Sequence, residues 1–261
     1  GTCLVGSEMC IRDRYTSMID AYKSLIEAIN HGGLANKVKV TIKWIDSELI
    51  ERENTDVKNI FKDINGIIVP GGFGKRGSEG KINAIKFARL NNIPFFGICF
   101  GMQMAVLEFA RNVLKLDNAS SSEFGKNNLS LIGLLTEWQT KTGLEKRNKN
   151  SNLGGTMRLG AYDCKLIENS FVKSIYKKNT ISERHRHRYE VNNKFNLEFK
   201  NNGLTFSGMS PNNLLPEILE ISSHPWFIGV QFHPELKSRP FDPHPLFSSF
   251  INASLKQSRL L

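Results

Sequence analysis

Ile93-Pro94-Phe95-Phe96-Gly97-Ile98-Cys99-Phe100-Gly101-Met102-Gln103-Met104 carries the reading of the fold. Its first half is an apolar run of the kind found in strands buried on both faces. Helical spacing follows at once, through Met104, Leu107 and Ala110. Cys99 stands at the junction, between Gly97 and Gly101. A reactive side chain lifted above a sheet at the start of a helix needs a tight, strained turn, which small neighbours permit. The helix dipole and its free N–H groups favour a thiolate there. The spacing predicts a nucleophile elbow with Cys99 as nucleophile rather than a buried structural thiol.

The same rhythm extends outward. Upstream, Gly66-Ile67-Ile68-Val69-Pro70 reads as a short apolar strand stopped by the glycine-rich turn Pro70-Gly71-Gly72-Phe73-Gly74, with a helix over 79–90. Residues 20–31 carry apolar positions at helical spacing that stop at Gly32-Gly33, and Val38, Val40, Ile42 and Trp44 alternate with polar residues as in a half-buried strand. Strand, turn, helix in succession predicts an α/β fold: a doubly wound, mostly parallel sheet with helices on both faces. From 129 onward, apolar stretches at 129–135, 157–167, 189–191, 204–207, 218–221 and 227–232 crowd together and predict an antiparallel extension. Residues 141–152, rich in Lys and Asn, read as an exposed loop, and 243–255 as a final amphipathic helix.

The length, 261 residues, suits one elaborated α/β domain. The net charge of +10 comes from basic residues scattered along the chain, with one dense knot at Arg184, Arg186 and Arg188, and predicts no nucleic-acid partner. Cys3, Cys10, Cys99 and Cys164 show no CxxC spacing, which points to a reducing, cytoplasmic setting. No apolar run approaches the roughly 20 residues that span a bilayer, so no membrane association is expected.

A cysteine nucleophile needs a base, and the base needs a partner that orients it. Phe232-His233-Pro234-Glu235 follows an apolar run and supplies both, with His233 and Glu235 on one side of the chain end if strand alternation continues. Cys99, His233, Glu235 and His244 could in principle ligate a metal, but they form no compact ligand pair, and no metal is expected. The glycine-rich turn would aim backbone N–H groups at an oxyanion, with Gly72 and Phe100 as the two donors.

Together these pieces resemble the class I glutamine amidotransferases, a flavodoxin-like fold. Four strings narrow the likeness to their CTP synthase branch: Gly71-Gly72-Phe73-Gly74-Lys75-Arg76-Gly77, Gly154-Gly155-Thr156-Met157-Arg158-Leu159-Gly160, 183–192 with its alternating arginines and histidines, and His224-Pro225-Trp226-Phe227 leading to Gln231-Phe232-His233-Pro234-Glu235. The resemblance implies that Cys99, His233 and Glu235 hydrolyse L-glutamine through a thioester. It also implies that Gly72, Phe100, Gly101, Met102, Gln103, Glu123 and Arg188 hold the substrate. A carboxylate such as Glu123 suits the ammonium group of glutamine, and Arg188 its carboxylate.

The likeness further implies a partner, an N-terminal synthase domain that these residues do not contain. That domain would use ATP and Mg to aminate UTP to CTP, leaving this chain with no cofactor of its own. Activation by GTP and a homotetrameric parent enzyme are implied in the same way. The domain proper is expected over 15–261, with 1–14 an anomalous leader unlike the family's first strand. A stand-alone hydrolase of glutamine or γ-glutamyl amides with the same triad is the alternative.

Overall fold

The computed structural model describes residues 4–12, 22–52, 55–125, 129–134 and 157–259. In chain order the first half runs β1 Leu4–Arg12, α1 Lys23–Ala35, β2 Lys39–Asp46, the short helices α2 Ser47–Glu51 and α3 Val57–Ile60, β3 Ile64–Val69, α4 Ser78–Leu90, β4 Phe95–Ile98 and α5 Phe100–Asn112. The second half adds β5 Ala119–Ser121, β6 Leu129–Leu134, β7 Arg158–Leu166, α6 Phe171–Tyr176, β8 Thr180–His187, β9 Tyr189–Val191, α7 Asn196–Asn201, β10 Leu204–Met209, β11 Pro216–Ile221, β12 Phe227–Val230 and α8 Pro245–Ser258.

The large sheet has the order β2-β1-β3-β4-β12-β11-β10-β7-β8. It is parallel from β2 to β12 and antiparallel from β12 to β8. The expected doubly wound α/β sheet and most of its antiparallel extension are therefore one continuous structure, but the stretches expected at 129–135 and 189–191 leave it for a separate sheet. Strand alternation splits the apolar residues between two cores. Ile67, Val69 and Phe95 join the side covered by α4 and α5, whereas Ile68, Phe96 and Ile98 join the side covered by α1 and α8. Each large apolar side chain buried this way stabilises the fold by roughly 1.5–3 kcal/mol. Arg89 on α4 clamps the fully buried Glu108 on α5 at 2.9 and 2.7 Å, which fixes the helix that begins at the elbow.

Three expectations change. Helix α1 does not stop at Gly32-Gly33 but runs on to Ala35. Those glycines serve close packing instead of capping, since a Cβ on Gly32 would lie 2.9 Å from the Phe247 carbonyl oxygen on α8, and one on Gly33 2.9 Å from that of Val38. Leu4–Arg12, assigned to the leader by sequence, forms β1, a parallel strand that pairs with β2 on one side and β3 on the other. Ladder partners on both edges specify a strand that local sequence does not advertise. Thr180–His187, where no strand was expected, is the edge strand β8 paired with β7. The loop expected at 141–152 lies outside the described residues.

A smaller sheet, β5-β6-β9, sits beside the large one. β5 runs parallel to β6, and β9 antiparallel, with Ser121 opposite Ile132 and Tyr189 opposite Leu134. The end of β5 and the start of β9 thus share one end of this sheet, which brings the neighbourhoods of Glu123 and Arg188 to the same side.

Candidate active site

β3, β4 and β12 are adjacent and parallel, with Val69 opposite Gly97 and Ile98 opposite Val230. Their carboxyl ends lie along one rim, where ligands bind in open α/β sheets. β3 delivers the glycine-rich turn, β4 delivers Cys99, and β12 delivers 231–235. Residues far apart in the chain meet because the strands that carry them are neighbours.

Cys99 is the elbow. Its φ of 53° and ψ of −103° fall outside the ordinary allowed regions for a side chain with a Cβ, and α5 starts at the next residue. Its N–H donates to the Val230 carbonyl at 2.7 Å, and its carbonyl accepts from the Gln103 N–H at 3.2 Å. The flanking glycines are sterically required. A Cβ on Gly101 would stand 2.0 Å from the Val69 carbonyl oxygen, and one on Gly97 2.8 Å from the Gly101 carbonyl carbon. Cys164 shows the contrasting fate of a cysteine. It is fully buried, and burial followed by the nearby Glu217 and Glu183 charges pushes its thiol far up, so it stays a structural residue.

His233 stands over the elbow, its backbone N–H donating to the Arg184 carbonyl at 2.8 Å. Its Nδ1 lies 2.7 Å from Glu235 Oε1. The expectation that both side chains would share a side is met, but through the 3₁₀ turn Pro234–Leu236 rather than through strand alternation. Burial alone would lower the imidazole pKa. The Cys99 sulfur, by charge and by hydrogen bond, and then Glu235 outweigh that and push it up to about 11. The ring beside the Cys99 sulfur is therefore held in its charged form, with the carboxylate fixing its orientation.

The glycine-rich turn roofs this dyad. A Cβ on Gly72 would lie 3.7 Å from the Phe100 ring, so the two residues are neighbours. Gly71, which sequence reasoning did not single out, is closer still. A Cβ there would stand 2.8 Å from the His233 ring and 3.7 Å from the Cys99 Cβ. Glu123 braces the turn by accepting the Gly74 N–H at 2.8 Å. The other positions divide. Met102 is fully buried in the core, and Gly101 packs on Val69, so any substrate contact there is through backbone. Gln103 is buried and donates to the Tyr189 carbonyl at 3.0 Å. Arg188 is half-buried in the bend between β8 and β9.

Along β8 burial alternates: Glu183, His185 and His187 point inward, and Arg184 and Arg186 outward. His185 Nδ1 lies 2.9 Å from His187 Nε2. Beside them, Arg158 bridges Glu190 on β9 at 3.1 Å and Glu217 on β11 at 2.9 Å, tying the two sheets together. Burial, then the Arg158 and His233 charges, holds His185 down to about 3, and burial holds His187 well below the ordinary histidine range. Between about pH 3 and 6.5 the unfolded chain binds protons on these rings that the folded chain does not, so acid destabilises the fold. Each ring is expected to contribute about 1.4 kcal/mol of lost stability per pH unit below 6.5. Urea midpoints of the parent and of His187→Asn at pH 7 and pH 5 check this: the variant is expected to lose less stability between the two pH values.

Residues 17–253 match the family model of the class-I glutamine amidotransferases, and the chain belongs to that family. Its likeness is to the CTP synthase branch. A solved glutaminase domain of Trypanosoma brucei CTP synthase, with bound acivicin, is 36% identical, superposes with a TM-score of 0.85, and is matched over 96% of this chain and 94% of that one. The curated CTP synthases of Sphingopyxis alaskensis and Rhodospirillum rubrum are 61% and 60% identical over 95% of this chain. The chain spans about half the length of these relatives, 46% and 45%.

Proposed function

We propose that this chain hydrolyses L-glutamine to glutamate and ammonia through a thioester on Cys99, and that the ammonia serves a synthase domain that aminates UTP to CTP with ATP and Mg. The observation that carries the reading is the strained Cys99 elbow hydrogen-bonded to His233, itself oriented by Glu235 at 2.7 Å. The sulfur attacks the side-chain amide carbon, and the resulting oxyanion sits between the N–H groups of Gly72 and Phe100. The imidazolium of His233 then gives its proton to the amide nitrogen, which leaves as ammonia. Neutral His233 takes a proton from the incoming water, which attacks the thioester. Collapse of the second oxyanion expels the sulfur and releases glutamate. Glu123 and Arg188, at the same end of the small sheet, are suited to the ammonium and carboxylate of the substrate.

The same reading carries a homotetrameric parent enzyme in the cytoplasm and activation by GTP. No helix among the described residues is long and apolar enough to cross a membrane. The test is ammonia release from L-glutamine by the purified chain, alone and mixed with a separately expressed CTP synthase synthase domain. Glutamine-dependent CTP formation by the mixture is the expected result. Ammonia release that the partner neither stimulates nor channels into CTP would overturn the coupling.

A further inference from the structure

A pair of buried amides adjoins the nucleophile and takes no part in the steps above. Gln231 directly follows β12 as Cys99 directly follows β4, and with Val230 opposite Ile98 the two residues stand side by side. Gln231 is fully buried, and its backbone N–H donates to the Glu217 carbonyl at 2.8 Å. Its Nε2 donates to the Cys99 sulfur at 3.8 Å. Its Oε1 accepts from Gln103 Nε2 at 3.3 Å. The same Gln103 nitrogen donates to the Tyr189 carbonyl at 3.0 Å.

The polarity of this relay is set at its far end. A backbone carbonyl can only accept, so Tyr189 fixes the amide of Gln103 with its nitrogen inward. Gln103 then presents N–H to Gln231, which must answer with its oxygen. That leaves the Gln231 N–H for the sulfur. A donor held against sulfur favours the thiolate over the thiol, because hydrogen bonds to an ionised acceptor are the stronger ones. Tyr189 is the residue after Arg188, so the relay also joins the nucleophile to the backbone expected to hold the substrate carboxylate.

We propose that Gln231 is a positioning residue that holds the Cys99 sulfur in its anionic, attack-ready state, with Gln103 locking its orientation. The purpose of this device rests on the glutaminase reading, but its effect on the sulfur is measurable without glutamine. The experiment follows carboxamidomethylation of Cys99 by iodoacetamide across pH, read by mass spectrometry of the Cys99 peptide, in the parent, Gln231→Met and Gln231→Glu. Methionine fills similar space without a donor. Its alkylation at neutral pH is expected to fall about tenfold, the scale of one lost hydrogen bond to a charged group, with the profile displaced to higher pH. Glutamate keeps an acceptor for Gln103 but sets a carboxylate against the sulfur, and is expected to displace the profile further.

In ammonia release both variants should lose kcat with little change in KM. Should the methionine variant fail to fold by circular dichroism, the glutamate variant carries the test. Alkylation profiles that coincide with the parent's within twofold would overturn the proposal. A displaced profile in a chain that releases no ammonia would overturn the glutaminase reading and leave the relay standing.

Discussion

Replacing Cys99 by alanine is expected to lower ammonia release from glutamine by a factor on the order of 10⁴ or more, because hydrolysis then lacks its covalent route and keeps only binding and the oxyanion donors. The fold should survive, since alanine occupies the same elbow. A second variant separates chemistry from strain. Cys99→Gly should be equally inactive yet about 1 kcal/mol more stable than Cys99→Ala, because a φ of 53° with a ψ of −103° penalises any Cβ. Ammonia assays and urea midpoints on both variants check the two halves. Activity that survives in either would remove the thioester, and equal midpoints would remove the strain.

Gly101→Ala is expected to cost about 3 kcal/mol or more, the upper end for overpacking, because the new Cβ would stand 2.0 Å from the Val69 carbonyl oxygen. A backbone atom cannot swing aside as a side chain would. The remaining outlet is for α5 to back away from β3, which would separate the Phe100 N–H from Gly72 and cost on the order of 10²-fold in kcat. Gly203→Ala is the control. It forces a Cβ onto a positive φ, 98°, a strain absent at Gly101, but into open space. A midpoint shift for Gly101→Ala no larger than that of the control would contradict the steric argument.

Much of this arrangement was legible in the order of residues. Apolar runs followed at once by glycine and helical spacing gave β3 and β4 with their helices, because a strand buried on both faces has little other sequence to choose from. Cys99 and the His233-Glu235 pair were found because their chemistry needs those residue types beside strand ends. What stayed hidden depends on contacts across the chain. Gly32 and Gly33 look like a helix stop, and only the approach of α8 shows that they are a packing face. Gln231 and Gln103 are ordinary amides until β12 is laid beside β4. In 183–188 the alternating burial of a strand was present in the sequence, but charged residues on one face and polar ones on the other disguise it. The inward Glu183 bonds to Tyr176 and His244, and His185 to His187, so the buried face is a polar network rather than an apolar stripe.

The order in which the strands sit has a consequence for biosynthesis. The sulfur and the amide that steadies it are 132 positions apart in the chain. So is most of what turns a cysteine into a nucleophile: the imidazole, its carboxylate and the carbonyl that fixes the elbow N–H all arrive with or just after β12. A chain growing from its N-terminus thus completes the elbow helix long before the elbow has anything to activate it, and the thiol stays unprimed until the sheet closes. Priming only on closure keeps a half-made protein from spending its own reactive sulfur.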